Sequence, residues 1–260
     1  MTGLPLFGLI VVFFLTSVFS VVTGSTSIIT VPAMFQFGID PRVAVATNMF
    51  ALTFMSVGGS LPFLPPGADI KKRMPLLIAL TLAGSAAGAF LLLAMPRGAV
   101  PIFVSAAVIG VAVFALFYRR SGIEASAVPP GRGSQMAGYA LTLLLGIYGG
   151  LFSGGYVTIL TAVFVAAFRM TFMEAVAATK FVNVFSSGIA TLIFMWRSVV
   201  DYRLGIVLGL TMFVGAWAGG RFARRLGNRW IRRVYLGAVW LLALKTLLLD
   251  LPKSHPRLRT

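Results

Sequence analysis

One lysine stands where an ionic side chain is hard to accommodate. Lys180 falls inside the apolar run 173–195, seven residues from its start, hence roughly 10 Å along a helix rising about 1.5 Å per residue. An ammonium in hydrocarbon costs several kcal/mol unless it meets water or a counter-charge, so the residue points to an anionic ligand. Two blander outcomes stay open: snorkelling to the interface, or pairing with Glu174, although six residues is a poor helical spacing for contact. Asn48 occupies the matching place 132 residues earlier and can donate hydrogen bonds to the same anion. Asn183 lies nearly one turn beyond Lys180 and can join it. Thr47 and Thr179, beside these positions, are expected to bond their own helix backbones.

Two interruptions supply the other candidate donors. Thr23-Gly24-Ser25-Thr26-Ser27 and Ser153-Gly154-Gly155 each precede an apolar stretch, 28–37 and 156–168, that is too short to cross a bilayer comfortably. A helix that begins inside a membrane presents unpaired N–H groups and the positive end of its dipole, both favourable to an anion. Glycine lets backbone approach a ligand closely, and the hydroxyls of Ser25, Thr26, Ser27 and Ser153 add donors. The candidate substrate-binding set is therefore Gly24, Ser25, Thr26, Ser27, Asn48, Ser153, Gly154, Gly155, Lys180 and Asn183. The same interruptions can instead be surface turns between ordinary helices.

The elements that must position these residues follow from composition. Of 260 residues, 58% are hydrophobic and 11% charged, with a mean hydropathy of +0.95; a soluble domain carries about 25% charged residues. The chain reads as an all-α, polytopic membrane protein. Charges and Gly/Pro clusters divide it into ten apolar segments: 4–22, 28–37, 43–64, 74–95, 99–118, 136–152, 156–168, 173–195, 204–220 and 231–250. The first is read as a membrane segment and not a signal peptide, since Met1–Val22 lacks a basic leader and a clear cleavage site. The polar stretch 119–134, with Arg119, Arg120, Pro129, Pro130 and Arg132, reads as a cytoplasmic linker between a first membrane repeat, 1–118, and a second, 135–250, followed by a polar tail, 251–260.

The duplication is visible in four matches at nearly constant offset. Val43-Ala44-Val45-Ala46-Thr47-Asn48 resembles Ala175-Val176-Ala177-Ala178-Thr179-Lys180, and Asp69-Ile70-Lys71 matches Asp201-Tyr202-Arg203, both at 132 residues. Gly84-x-x-x-Gly88 matches Gly215-x-x-x-Gly219 at 131, and the two Gly/Ser breaks lie about as far apart. Glycines four apart are a close-packing signal for membrane helices. Five segments per half, an odd number, predict that the second repeat is inverted relative to the first. The net charge of +16 is assigned to the positive-inside rule: Lys71–Arg73, Arg119 with Arg120 and Arg132, and Arg221–Arg233 fall on one side. The basic tail residues Lys253, Arg257 and Arg259 run against that assignment.

Several functions are disfavoured. No Asp or Glu falls in the middle of a span, as a cation pump would be expected to require. A metalloenzyme needs a His/Asp/Glu cluster and an intramembrane protease needs paired catalytic groups; the sequence offers one histidine, His255, in the tail, and no cysteine. No cofactor or metal is expected, no nucleic-acid role, and no enzymatic activity.

At this point the residues resemble a known family. A Gly/Ser-rich break leading to an apolar stretch with Pro32, an Ala-x-Ala-Thr segment, and an Asp before a Gly-x-x-x-Gly helix, all duplicated over roughly residues 6–250, resemble the TauE/SafE family of sulfite and organosulfonate exporters. Both breaks are poorer in glycine than the family form. The resemblance implies a carrier in a bacterial or archaeal inner membrane, with sulfite or a sulfonate as its anionic substrate and protons and membrane lipids as further partners. An anion channel on the same scaffold is the alternative.

Overall fold

The computed structural model of the protein describes residues 3–24, 26–63, 68–117 and 130–245, whose regular structure is helical throughout. The helices are α1 (Leu4–Thr23), α2 (Ser27–Gln36), α3 (Pro41–Ser60, extended by a 3-10 turn over Leu61–Phe63), α4 (Ala68–Ala94), α5 (Ala99–Phe117), α6 (Arg132–Leu151), α7 (Tyr156–Phe168), α8 (Phe172–Trp196) and α9 (Tyr202–Lys245). Among the described residues, four stretches are long and apolar enough to cross a membrane: Pro41–Phe63, Lys71–Ala94, Phe172–Trp196 and Tyr202–Ala223.

Helix starts follow local chemistry. The Asp40 carboxylate accepts from the Arg42 and Val43 amides at 3.0 and 3.2 Å, with Pro41 preset for the first helical position. Thr171 and Glu174 form a reciprocal capping box at α8, satisfying two amides that the helix itself cannot. Asp201 accepts from the Leu204 amide at 3.1 Å.

The end of the chain departs from the sequence reading. Hydropathy separates segments 204–220 and 231–250 by an arginine-rich connector, yet α9 runs unbroken for 44 residues, about 66 Å at the standard rise. Arginine is a good helix former, and the stretch 221–233 contains no proline, so charge alone does not interrupt the backbone. Arg221–Arg233 therefore lie on a helix, and one of the three basic connectors of the sidedness argument is absent. Arg132, Gly133 and Ser134, assigned to the linker, belong to the first turn of α6. Most of the linker, the end of the last segment and the polar tail fall outside the described residues.

The packing follows the duplication. α3 and α8 carry the two most buried spans and lie against each other at the centre. Their polar contacts, Ser56 with Asn183 and Thr53 with Thr191, run in opposite chain directions, so the pair is antiparallel. Around them α4 packs on α6 as α9 packs on α1, α9 on α3 as α4 on α8, and α2 on α3 as α7 on α8. Exchanging the halves maps each contact onto its counterpart, an arrangement consistent with two inverted repeats.

The glycine pairs are what allow the outer helices to approach. A Cβ at Gly84 or Gly88 would strike the carbonyl oxygens of Leu143 and Ile147 on α6; at Gly215 or Gly219 it would strike Ser17 Oγ and the Val18 carbonyl on α1. Small residues permit such backbone contact where lipid provides no hydrophobic drive between helices. Replacing Gly88 with Ala is expected to cost about 1–3 kcal/mol by overpacking. Gly188→Ala, where a Cβ meets nothing within 4 Å, is expected to be neutral or mildly stabilising. Melting temperatures of the two purified variants compare them directly.

Candidate functional site

The two interruptions found in the sequence are the two helix breaks of the structure. α1 ends at Gly24, which adopts a left-handed conformation (φ 71°), and α2 begins at Ser27. α6 ends at Leu151, and α7 begins at Tyr156 after left-handed Ser153 (φ 62°) and Gly155 (φ 76°). These conformations are easy for glycine and costly for most other residues, and Ser153 accepts that strain at a break. Gly154 is held by the Tyr148 hydroxyl, which donates to its carbonyl. α2 and α7 have ten and thirteen residues, about 15 and 20 Å, too short for a bilayer core of about 30 Å.

The breaks are brought together. A Cβ on Gly24 would lie 2.6 Å from Val157 Cβ and 3.0 Å from the Thr158 amide nitrogen, so the first break rests on the first turn of α7. Neither short helix has a side-chain cap at its start, at Thr26 or at Gly155. This contrasts with α3 and α8, whose starts are capped by Asp40 and by Thr171 with Glu174.

Lys180 on α8 is 3% exposed, so its side chain does not reach the surface. The Glu174 pairing is also absent: Glu174 accepts from the Thr171 amide and hydroxyl at 2.8 and 2.9 Å. Among the described residues no carboxylate pairs with Lys180. Helical spacing places Lys180 on one stripe with Asn183, Ser187 and Thr191, the stripe that faces α3 through Asn183 and Thr191.

The other candidates divide. Asn48 uses both ends of its amide within the protein: Nδ2 donates to Ser27 Oγ at 2.9 Å, and Oδ1 accepts from Thr30 at 2.7 Å. It ties the start of α2 to α3 and makes no described contact with Lys180. Thr26 donates to Met55 Sδ at 3.4 Å. Ser153, Gly154 and Gly155 are buried at the second break, where a Cβ on Gly155 would strike Val111 of α5. Ser25 lies outside the described residues. Thr179 bonds its own helix at the Val176 carbonyl, as expected, whereas Thr47 instead accepts from the Asp201 amide across to α9 at 3.0 Å.

A second polar cluster has no counterpart in the sequence reading. Tyr156, the first residue of α7, is fully buried, and its hydroxyl lies beside Thr81 of α4 and Ser186 of α8 without hydrogen-bond geometry to either. Ser186 and Ser85 share a hydrogen bond at 2.7 Å, and Ser85 donates to the Gly146 carbonyl at 3.1 Å. Thr81 Oγ1 and Asn183 Oδ1 are likewise buried without a partner among the described residues. Buried polar atoms are normally satisfied by protein or ordered water; of these three, the Tyr156 and Thr81 hydroxyls lie beside each other. The available signal was Ser186, six residues past Lys180 and one of several polar residues on α8; Tyr156 looked like one more aromatic.

Comparison with known proteins agrees with the membrane-embedded architecture. The family model described as "Sulfite exporter TauE/SafE" matches residues 9–246. A "Probable membrane transporter protein ORF9" from Sinorhizobium is 27% identical over 95% of this chain and 93% of its own length. "Probable membrane transporter protein YfcA" from Escherichia coli K12 is 25% identical over 81% of this chain and 78% of its own. A "Probable membrane transporter protein" from Haemophilus influenzae is 23% identical over 84% of this chain and 85% of its own. No solved structure matches the chain.

The two polar clusters differ in what they do for stability. Asn48→Leu removes two buried hydrogen bonds and strands Ser27, while Thr30 keeps its bond to the Thr26 carbonyl, an expected loss of about 1–3 kcal/mol. Tyr156→Phe removes a buried hydroxyl that makes no hydrogen bond among the described residues and is expected to leave the melting temperature unchanged or slightly raised. Thermal unfolding in one detergent resolves the contrast.

Proposed function

We propose, because this chain belongs to the sulfite exporter TauE/SafE family, that it exports small sulfur-containing anions, sulfite or an organosulfonate, across a bacterial or archaeal inner membrane. The coarser statement needs no proposal: it is a multi-pass membrane transporter of that family. The finer reading is carried by Lys180, an ammonium 3% exposed with no described carboxylate beside it. A buried cation without an internal partner is a strong attractor for an anion brought from outside.

In this mechanism the anion enters between the abutting breaks. The uncapped starts of α2 and α7 offer amide donors and the positive ends of their dipoles, and Lys180 supplies the full charge. Asn48 positions the first break by holding Ser27, while Asn183, joined to Ser56 at 2.6 Å, links Lys180's helix to α3. The repeats then rock against each other about the antiparallel α3–α8 pair, exposing the site to either side in turn. With no carboxylate at the midplane, any coupled proton travels on Lys180 or on the substrate itself.

Replacing Lys180 with Met is expected to abolish sulfite counterflow in proteoliposomes. The variant should fold with equal or greater thermal stability, because an apolar residue of similar volume replaces a desolvated charge. Unchanged flux would remove Lys180 from the mechanism, and flux without exchange or saturation would indicate a channel. A thermal-shift series over sulfite, sulfate, thiosulfate, sulfoacetate and taurine identifies the substrate. A ligand at a hundred times its Kd stabilises by about 2.7 kcal/mol, and Lys180→Met should lose that response.

A further inference from the structure

At the far end of the α9 span lies a groove unconnected with Lys180. It has a volume of about 490 Å³ and is lined by Leu61 and Pro62 of the 3-10 turn and by Trp217, Arg221 and Arg225 of α9. The last three are spaced four residues apart, so they form one stripe on the helix. The Arg221 guanidinium sits 4.6 Å from the Trp217 ring centroid, which fixes the charge over an aromatic face. Gly220 lets α9 close on the turn: a Cβ there would come within 2.9 Å of Pro62 Cγ. Leu61 and Trp217 remain 47% and 39% exposed, so the floor of the groove is apolar and open.

Its position decides what can occupy it. The apolar run of α9 gives way in the sequence to an arginine-rich stretch from Arg221 onward, and tryptophan is the residue that favours the headgroup level of a bilayer. The lining therefore runs from apolar (Leu61, Pro62) through amphipathic (Trp217) to doubly cationic (Arg221, Arg225), with no acid among the lining residues. A phospholipid headgroup has the same gradient in the same direction. Two guanidiniums can grip phosphate oxygens in planar, forked geometry, and basic recesses between membrane helices are suited to anionic headgroups.

We propose that this groove is a binding site for the phosphate of an anionic phospholipid, bridged by Arg221 and Arg225, with the glycerol end against Trp217, Leu61 and Pro62. The site is separate from the transport reading and holds whether or not the cargo is a sulfur anion. A purely electrostatic fringe would behave differently, because it would count all basic residues at that depth alike, including the exposed Lys71 and Lys72.

The experiment uses the full chain purified in a neutral detergent, titrated with short-chain phosphatidylglycerol, with phosphatidylcholine, and with inorganic phosphate. Phosphatidylglycerol is expected to raise the melting temperature and to stay bound in native mass spectrometry, with phosphatidylcholine and inorganic phosphate doing neither. The double variant Arg221→Gln/Arg225→Gln should weaken that binding at least about tenfold, while Lys71→Gln/Lys72→Gln should leave it intact. Equal binding of phosphatidylcholine, an equal response to inorganic phosphate, or an equal loss in the lysine variant would each overturn the proposal. The three-ligand comparison on the unmodified chain decides the matter even if an arginine variant fails to fold.

Discussion

Holding a lysine ammonium away from water costs several kcal/mol unless opposite charge or water meets it, and in this protein that cost falls on Lys180. Its own helix carries a carboxylate, Glu174, but that group is committed to the cap of α8. The other carboxylates with described side chains are committed in the same way, Asp40 at the start of α3 and Asp201 at the start of α9. The described acidic groups thus order helix ends and leave the buried Lys180 without a carboxylate partner among the described residues. In the proposed function this suits an anion that can come and go, where a carboxylate nearby would neutralise the lysine permanently.

The surrounding helices make that arrangement possible by being rigid where the centre is not self-sufficient. α3 and α8 cross the core in opposite directions and are joined by hydroxyl and amide contacts at Ser56–Asn183 and Thr53–Thr191. α4 and α9 clamp them from outside, each drawn against a helix of the other half by glycines that touch backbone carbonyls. Since lipid gives no hydrophobic reward for helix association, these close contacts supply much of the cohesion. They also hold the short helices α2 and α7 with their first turns inside the bundle, where the backbone is buried in protein and irregular geometry is tolerated.

Much of this was legible in the sequence because hydropathy and glycine spacing speak directly about lipid. The short segments predicted at 28–37 and 156–168 are α2 at 27–36 and α7 at 156–168, since a polar Gly/Ser cluster inside an apolar run interrupts the helix there. The packing role of Gly84, Gly88, Gly215 and Gly219 was equally plain. The arginine-rich stretch 221–233 misleads because a run of charge resembles a connector; a helix ends for backbone reasons, and nothing there removes an amide or forces a turn. The partners of Asn48 were hidden for a different reason. That Ser27 and Thr30 lie against it depends on how α2 folds back over α3, a long-range fact absent from local spacing. Tyr156 escaped notice because only burial reveals that its hydroxyl has no partner.

The two halves have diverged in chemistry while keeping one scaffold, and the divergence has a direction. Where the first repeat has Asn48, bonded to Ser27 and Thr30, the second has Lys180 with no described carboxylate partner. Where the first break packs Thr26 onto Met55, the second sets Tyr156 beside Ser186 and Thr81 with an unsatisfied hydroxyl. Lysines at both matching positions would add a second buried charge with its own desolvation cost. One charged half and one neutral half avoid that. On the proposed transport reading, an anion would be held by a single ammonium and many dipoles, strongly enough to enter the hydrocarbon layer and weakly enough to leave it.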